Sequence, residues 1–411
     1  RGQWPARGER LMVASRVLGG DNGWYNGAAY LDTMDPEAVR AFVEHTYEGY
    51  RKAVGREFGK AVPGIFTDEP NYCHQWTGGI PGDFAATAWT DRLPAEFRRR
   101  CGYDLVAELP HLFLDIDDRG LKVRRDHRMV ATGLFEEAFS RQVGQWCVRN
   151  RVAFTGHYLS EENLKNQTKV VGAAMPHYRH MGLPGIDILR RSIDEVLTCK
   201  QVASMAEQFG KPRVLSELYG GAGWHFSLAD QKWMGDWQYA LGVNLRCQHL
   251  VLTSLRGGRK RDYPPSFFTN TPWWGHNRVV EDYFGRLSLA LSQGRAVRDL
   301  LVVHPMESAW ALLAAKSGEP SEKKLEAIDR SLAALVKDLL GLHHDYDMGD
   351  ESVMARFGRS AGGRLTVGRA SYRAVLVPQC LTLRKTTLLL LEKFAARSEE
   401  RRVGKECRSR W

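Results

Sequence analysis

Residues 64–70 read Gly-Ile-Phe-Thr-Asp-Glu-Pro, and together with residues 213–221, Arg-Val-Leu-Ser-Glu-Leu-Tyr-Gly-Gly, they decide the predicted fold. In each stretch a short apolar segment ends on acidic residues, Asp68 and Glu69 in the first and Glu217 in the second. Proline has no backbone donor, so Pro70 ends the first strand. Acidic residues suit neither strand interiors nor burial, and we therefore expect these carboxylates to face a pocket at the strand ends.

Other apolar runs alternate with amphipathic stretches along most of the chain. The candidate strands are residues 11–18, 27–31, 62–67, 152–158, 185–189, 213–218 and 250–255. Helical patterns lie between them. One begins at Asp35-Pro36-Glu37, a good N-cap followed by proline and an acidic first turn, and a long one covers residues 126–149. Strands separated by helices predict a parallel sheet with right-handed crossovers.

The predicted fold class is α/β: a (β/α)₈ TIM barrel over residues 1–295 that lacks its first strand, with a long insertion at 71–125. A doubly wound sheet is the alternative, but no Gly-x-Gly-x-x-Gly follows a strand. Residues 296–397 predict a smaller, partial α/β domain, with strands at 297–304 and 374–378, a helix at 323–340 and further segments at 345–350 and 363–367. Residues 398–411 predict a non-native tail. We therefore expect a fragment, and localisation stays open.

Composition excludes several classes of protein. The chain has 411 residues, 43% of them hydrophobic, and a net charge of +10, but the basic residues are scattered and accompany no nucleic-acid-binding motif. No apolar run is long enough to span a membrane. The seven cysteines are widely spaced without a Cys-x-x-Cys pair, so a structural zinc site is not expected.

Glu69 and Glu217 are the strongest catalytic candidates. Counted from a missing first strand, they end the fourth and seventh strands of the predicted barrel, which places them across its mouth from each other. Two facing carboxylates are what glycoside hydrolysis requires, one to protonate the leaving oxygen and the other to attack or to activate water. The alternatives are a solvated turn at Asp68–Glu69 and a structural ion pair at Glu217.

Two of these segments resemble a known class of enzyme. Thr67–Pro70 is similar to the Asn-Glu-Pro acid/base motif of clan A glycoside hydrolases, with Asp68 in place of Asn, and Ser216–Gly220 resembles their nucleophile segment. Residues 25–72 and 254–266 resemble glycoside hydrolase family 106, the α-L-rhamnosidases, and β-galactosidase-like relatives. The clan implies retention, with Glu69 as acid/base and Glu217 as nucleophile. Family 106 instead implies inversion with calcium in the site.

The small domain resembles the flavodoxin-like domain of some β-galactosidases, which implies a homo-oligomer formed through it.

Further residues at the predicted strand ends are candidate substrate contacts. His157 and Tyr158 end the fifth strand, Asp187 lies on the sixth, and a basic loop with Arg259 and Arg261 follows the eighth. That loop suits a carboxylated sugar or ion pairs to the catalytic acids, and an exposed charged loop is the alternative. The aromatic and imidazole side chains proposed to contact a sugar are Trp224, His225 and Trp274.

The leading hypothesis is thus a glycosidase that cleaves terminal glycosidic bonds of plant or microbial carbohydrates. A carbohydrate-binding barrel without catalysis is the second hypothesis, and a metal-dependent barrel enzyme is the third, weakened by the lack of a His-x-His strand. We expect a carbohydrate as the partner, with neither nucleic acid nor membrane. No cofactor is expected, although calcium stays open because its scattered ligands leave little trace in a sequence.

Overall fold

The computed structural model describes residues 12–17, 19–72, 85–316 and 318–396, and of Trp24 the backbone only. The tail predicted at 398–411 lies outside these ranges, as do residues 73–84 of the predicted insertion. What is described of that insertion is mainly helical.

Five short parallel strands form the first sheet layer of the described chain. They are β1 (Gly64–Thr67), β2 (Ala153–Gly156), β3 (Gly185–Ile188), β4 (Leu215–Leu218) and β5 (Leu245–Gln248). β1 pairs with β2, and β3 pairs with β4, which pairs with β5. The N–H groups of Gly182 and Leu183, just before β3, donate to Phe154 O of β2, so the strands follow one another in chain order. Parallel strands separated by helices confirm the α/β class; closure into an eight-stranded barrel stays a prediction.

Three of the expected strands are wrong or shifted. Residues 12–17 and 27–31 form no strand, apart from a single bridge between Asn22 and Ala28. The apolar run 250–255 is irregular, and the strand lies five residues earlier, at β5. The run packs against the loop that follows it, where Phe267 N donates to Leu250 O at 3.0 Å. A short apolar run cannot by itself be told from other buried segments.

Helices separate the strands and continue through the rest of the chain. The α-helices are α1 (Pro36–Phe42), α2 (Glu48–Val54), α3 (Leu93–Cys101), α4 (Leu109–Phe113), α5 (Arg119–Phe135), α6 (Arg141–Arg149), α7 (Leu164–Val170), α8 (Met175–Tyr178), α9 (Val196–Phe209), α10 (Leu228–Ala240), α11 (Arg278–Leu291), α12 (Met306–Leu312), α13 (Pro320–Gly341), α14 (Glu351–Phe357) and α15 (Lys385–Ala395). Short 3₁₀ helices cover Gly23–Tyr25, Gly55–Glu57, Val106–Glu108, Gly257–Arg261 and Trp274–His276. Within the described ranges, no helix combines the length and the apolarity that crossing a membrane requires.

Two of the predicted helices are present in the structure. The Asp35 side chain accepts from Glu37 N and caps α1, whose first residue is Pro36. The long helix predicted at 126–149 is α5 and α6 joined by a π-helical turn, Glu136–Ser140. Such turns inside α-helices often accompany functional or packing constraints.

The chain beyond residue 296 forms two small sheets. β6 (Leu300–His304) lies between β7 (Tyr346–Asp350) and β11 (Ala374–Leu376) in a parallel sheet. An antiparallel sheet consists of β8 (Gly358–Ala361), β9 (Arg364–Val367) and β10 (Ala370–Tyr372). The parallel elements lie close to their predicted positions, whereas the antiparallel sheet extends the prediction. The domain boundary near residue 295 and self-association through this region stay predictions.

The two halves of the chain share one hydrophobic core. Buried polar contacts cross the junction as well: Arg124 Nε donates to Ala311 O at 2.8 Å, and Gln208 Nε2 donates to Met348 O at 2.9 Å. Glu136, 4% exposed, pairs at 2.8–3.0 Å with Arg179, His180 and, from the C-terminal half, Arg356. Its three partners outweigh burial and hold the pKa of the Glu136 carboxyl well below its usual range.

We expect Glu136→Gln to lower the free energy of unfolding by about 3 kcal/mol, because breaking a buried ion cluster leaves its cations unpaired. A depressed folded-state pKa stabilises the protein above the unfolded pKa of about 4.3, and this stabilisation is lost as the pH falls. Denaturant unfolding between about pH 5 and about pH 2 therefore shows a steeper loss in the natural protein than in the variant. Glu44→Gln, which breaks only the exposed pair with Arg40, is the control; equal effects of the two variants would contradict the assignment.

Candidate active site

Acidic and imidazole side chains gather at the carboxyl ends of the five parallel strands. Asp68 and Glu69 follow β1, His157 follows β2, and His249 follows β5. Asp187 and Glu217 are the next-to-last residues of β3 and β4, and they pair with each other in the parallel register of these strands. β1 and β4 lie in the sheets β1-β2 and β3-β4-β5, respectively, and the position of Glu69 and Glu217 on the fourth and seventh strands of a barrel stays a prediction.

His157 lies at the centre of this cluster. It is 1% exposed, and its Nε2 lies 3.1 Å from Asp68 Oδ1 and 3.6 Å from Asp187 Oδ2. On the other side of the ring, Nδ1 lies 3.3 Å from Glu217 Oε2. One imidazole therefore touches three of the carboxylates, and a Glu69 carboxylate oxygen lies within 4.8 Å of one of its nitrogens.

The charges of the cluster depend on one another. Burial lowers the pKa of His157, but Asp68 and the other carboxylates more than offset this and raise it to about 9. Burial raises the pKa of Glu69 and of Glu217, and the neighbouring acids raise both further, while His157 opposes the shift. Burial and nearby acids raise the pKa of Asp187 to about 8. Raised carboxyl pKa values clustered in this way are typical of sites that carry out acid–base chemistry.

The backbone at Glu69 is strained and is held from both sides. Glu69 has φ +50°, in the left-handed region that non-glycine residues rarely adopt. Asn71, 3% exposed, donates from Nδ2 to Glu69 O at 3.1 Å and from its backbone N to Tyr30 Oη at 3.0 Å. Thr33 Oγ1 in turn donates to Asn71 O at 2.7 Å. Strain of this kind persists only where the surroundings fix it, and it is concentrated at functional sites.

Tyr158 does not belong to the site, which corrects its prediction as a substrate contact. Its side chain is 1% exposed, and its hydroxyl lies 2.8 Å from Ser140 Oγ. The ring packs against Phe135 and His177 in the core. Successive residues of an extended chain point to opposite sides, so when His157 faces the carboxylates Tyr158 faces away.

The other predicted contacts lie on loops around the cluster. Trp224 and His225 are exposed in the loop after β4, and Trp224 Nε1 donates to Lys260 O at 2.8 Å. Arg259 and Arg261 are exposed in the 3₁₀ helix after β5. Trp274 is half-buried against a small apolar cluster around Tyr219 and Phe267, so most of its ring serves packing.

Sequence reasoning missed His249 and Tyr30. His249 Nε2 lies 3.8 Å from Glu217 Oε1, and the ring of Tyr263 lies 5.6 Å from the His249 ring. The ring of Tyr30 packs against that of Tyr25, with the ring centroids 4.8 Å apart. Burial is the main cause of the raised pKa of both phenols, and the nearby Glu69 carboxylate raises both further. His249 could have been identified from its position directly after a strand. It was missed because that strand was expected at 250–255, after His249 and not before it.

Asp68, Glu69 and His157 also form a group that could hold a metal ion. One potential ligand atom from each residue lies within 4.8 Å of those of the other two. Among the described residues, this is the one group of at least three histidine, cysteine or acidic side chains arranged closely enough to hold a metal ion. Asp187 adds another carboxylate at the same side of His157, and its Oδ1 is buried without a hydrogen-bond partner in the described chain. The site therefore contains more carboxylate oxygens than the neighbouring hydrogen-bond donors satisfy, and such oxygens are available to bind a metal ion.

Comparison with known proteins covers most of the chain. The sequence model of glycoside hydrolase family 106, alpha-L-rhamnosidase, matches residues 26–396. A protein described as a putative beta-glucuronidase of Formosa agariphila is 24% identical over 376 residues, which are 88% of this chain and 28% of that protein.

Two solved structures share the fold. A rhamnosidase from Novosphingobium sp. PP1Y superposes with a TM-score of 0.64 at 21% identity, over 89% of this chain and 33% of that one. A β-galactosidase from Halorubrum lacusprofundi superposes with a TM-score of 0.54 at 13% identity, over 87% and 55%. The chain therefore spans about a third or less of the length of the rhamnosidase and of the Formosa protein.

Proposed function

The chain belongs to glycoside hydrolase family 106, the alpha-L-rhamnosidases, and from that premise we propose that it hydrolyses terminal glycosidic bonds by a two-carboxylate mechanism. The observation that carries the proposal is the convergence of Glu69 and Glu217 on one buried imidazole at the ends of parallel strands. A terminal α-L-rhamnoside is the first substrate to test, since the family is described by that activity. The five strands would be the described part of a (β/α)₈ barrel, whose catalytic groups lie at this end.

Glu69 is proposed as the general acid. It follows directly on Asp68, and burial and this adjacent charge both favour its protonated form. The pKa of Asp68 is lowered, because it accepts from His157, so Asp68 stays ionised beside Glu69. Asp68 would thus tune Glu69 and anchor His157.

Glu217 is proposed as the nucleophile or base. Two imidazoles, those of His157 at 3.3 Å and His249 at 3.8 Å, lie beside its carboxylate oxygens. Positive charge on His157 favours the ionised form of Glu217, which a nucleophile or base needs, and opposes the effect of burial on its pKa.

In the proposed reaction Glu69 gives its proton to the glycosidic oxygen as the bond from that oxygen to the anomeric carbon breaks. The leaving alcohol carries this proton away, and Glu217 either bonds to the anomeric carbon or takes a proton from the water that attacks it. In the first case water later releases the sugar and returns the proton through Glu69. The two routes give opposite anomers.

The experiment that tests the function is proton NMR of the full-length protein acting on an aryl α-L-rhamnoside. The first-formed sugar reports retention if Glu217 attacks carbon and inversion if it activates water. Hydrolysis of a β-galactoside or β-glucuronide without hydrolysis of the rhamnoside would keep the mechanism and change the substrate. No hydrolysis of any of these glycosides would contradict the proposal.

A calcium-dependent, inverting rhamnosidase-like enzyme is a second candidate, favoured by the surplus of oxygen donors. The donor chemistry fits, because calcium binds carboxylate oxygens and Asp187 Oδ1 is buried without a partner in the described chain. Asp68 and Asp187, both at the Nε2 side of His157, would hold the ion. The ion would supply a fixed positive charge able to bind sugar hydroxyls.

Under this second candidate, treatment of the full-length protein with a chelator followed by desalting lowers its glycosidase activity at least about tenfold, as loss of a site metal does. Calcium restores the activity, whereas magnesium, which prefers a smaller and stricter octahedral site, does not. Asp187→Asn raises the calcium concentration that gives half-maximal recovery. Activity that is unchanged after chelation would exclude the calcium-dependent candidate and leave the leading proposal in place.

A further inference from the structure

The rim of the acidic cluster is basic. The loop after β5 carries Arg256, Arg259, Lys260 and Arg261 against one acidic residue, Asp262, and all five are exposed. None of its four cations forms an ion pair within the described part of the chain, and Lys260 Nζ donates only to the backbone oxygen of Gly257. The loop therefore presents free positive charge to solvent.

This loop lies directly against the loop that follows Glu217. Trp224 Nε1 donates to Lys260 O at 2.8 Å, and Gly223 N donates to Pro264 O at 2.9 Å. Tyr263, two residues after Arg261, contacts the ring of His249, which in turn lies 3.8 Å from Glu217. The backbone that carries the positively charged side chains thus lies at the edge of the acidic cluster.

A second segment brings another cation to the same place. Arg190, which follows β3, is exposed, has φ +61° and donates from its backbone N to Gly220 O at 2.7 Å. A Cβ atom placed on Gly221 would lie 3.4 Å from Tyr263 Cδ1 and 3.6 Å from Arg190 Cγ. Gly221 thus lies between Arg190 and the basic loop, and with φ +74° it suits glycine.

We propose that this basic rim, made of Arg190, Arg256, Arg259, Lys260 and Arg261, binds a carboxylate or sulfate group on the substrate. The proposal rests on the proposed glycosidase function and names the substrate class of that same site. Guanidinium groups match the planar oxygens of such anions and bind them in pairs of hydrogen bonds. Trp224, 38% exposed, offers an aromatic face to the same sugar.

The charge distribution also places the anion within the substrate. The site holds Glu69, Asp187 and Glu217 around a single buried imidazole, with the exposed Asp68 at its edge, and this acidic cluster disfavours an additional anion. At the reacting position it therefore favours a sugar without a charged group. The anionic group belongs to the sugar on the leaving side of the bond, which reaches the rim.

The test measures binding by calorimetry to a Glu69→Gln variant of the full-length protein, so that ligands are not consumed. The ligands are α-L-rhamnosyl disaccharides whose second sugar is glucuronic acid, a glucose sulfate or glucose. We expect an anionic ligand to bind at least about tenfold more tightly than the glucose ligand at low salt, as charge-assisted hydrogen bonds imply. The preference weakens as salt is added. Tighter binding of the glucuronic acid ligand indicates a carboxylate site, and tighter binding of the glucose sulfate ligand indicates a sulfate site.

Adding Arg259→Gln and Arg261→Gln to this variant reduces the preference to less than about threefold, whereas adding Arg286→Gln, an exposed arginine on α11, leaves it unchanged. Equal binding of the three ligands, or no binding of any, overturns the proposal. A preference that survives the double substitution overturns its assignment to this rim. If the natural protein hydrolyses none of the three while the preference holds, the proposed function fails and the anion site stands.

Discussion

Replacing Glu69 by Gln is expected to lower kcat of the full-length protein on an alkyl α-L-rhamnoside at least about a hundredfold, the contribution typical of general acid catalysis. The amide has nearly the shape of the carboxylic acid but cannot release a proton to the glycosidic oxygen. An aryl glycoside with an acidic phenol as leaving group needs less protonation and should therefore lose less activity. The measurement is kcat and KM on both substrates for the variant and the natural enzyme.

Glu57→Gln is the matched control, since Glu57 is exposed in a 3₁₀ helix just before β1. It should leave both rates within about twofold of the natural values, as surface substitutions usually do. An equal loss on the alkyl and aryl substrates would remove the acid role from Glu69 and indicate a structural defect. Unchanged rates on both would remove Glu69 from the site.

The positions of the two acids could be predicted because their signal is local. The strands expected at 62–67 and 213–218 are β1 and β4, observed at Gly64–Thr67 and Leu215–Leu218. In both, β-branched or aliphatic residues are followed by acids that no strand interior favours. Since parallel strands present their carboxyl ends at one edge, the same reasoning brings the acids to one side of the sheet.

The contacts among the site residues could not be predicted in this way. His157 touches Asp68, Asp187 and Glu217, which lie 89, 30 and 60 residues from it along the chain, and no local pattern records such pairs. The direction of Tyr158 was wrong because placement at a strand end does not say which of two successive side chains faces the pocket. His249 was overlooked because the apolar run after it was taken for the strand.

The junction between the two halves of the chain shows the same limit. The elements of the C-terminal half follow from apolar periodicity, yet Glu136 and Arg356, 220 residues apart, form one of the ion pairs that join the halves. Burial of such a pair is favourable only when further hydrogen bonds satisfy both partners. Its stability effect is therefore a property of the assembled fold and not of either segment.

Replacing Glu217 by Gln is the second change expected to have a large effect, a loss of kcat of at least about a hundredfold on alkyl and aryl substrates alike. The neutral amide has nearly the shape of the carboxylate, so the fold is retained, but it can neither attack the anomeric carbon nor take a proton from water. Glu207→Gln on α9, where Glu207 forms no ion pair in the described chain, is the control.

The form of the loss separates the two roles of Glu217. If it attacks carbon, a slowly released fluorinated glycoside leaves a covalent adduct on the peptide that contains Glu217, detectable by mass spectrometry; if it activates water, no adduct forms and the product anomer is inverted. The Glu69→Gln, Glu217→Gln double variant should be about as slow as the slower single variant, because both groups act on one transition state. Losses that multiply would mean that the two carboxylates act independently, and the paired assignment would then be wrong.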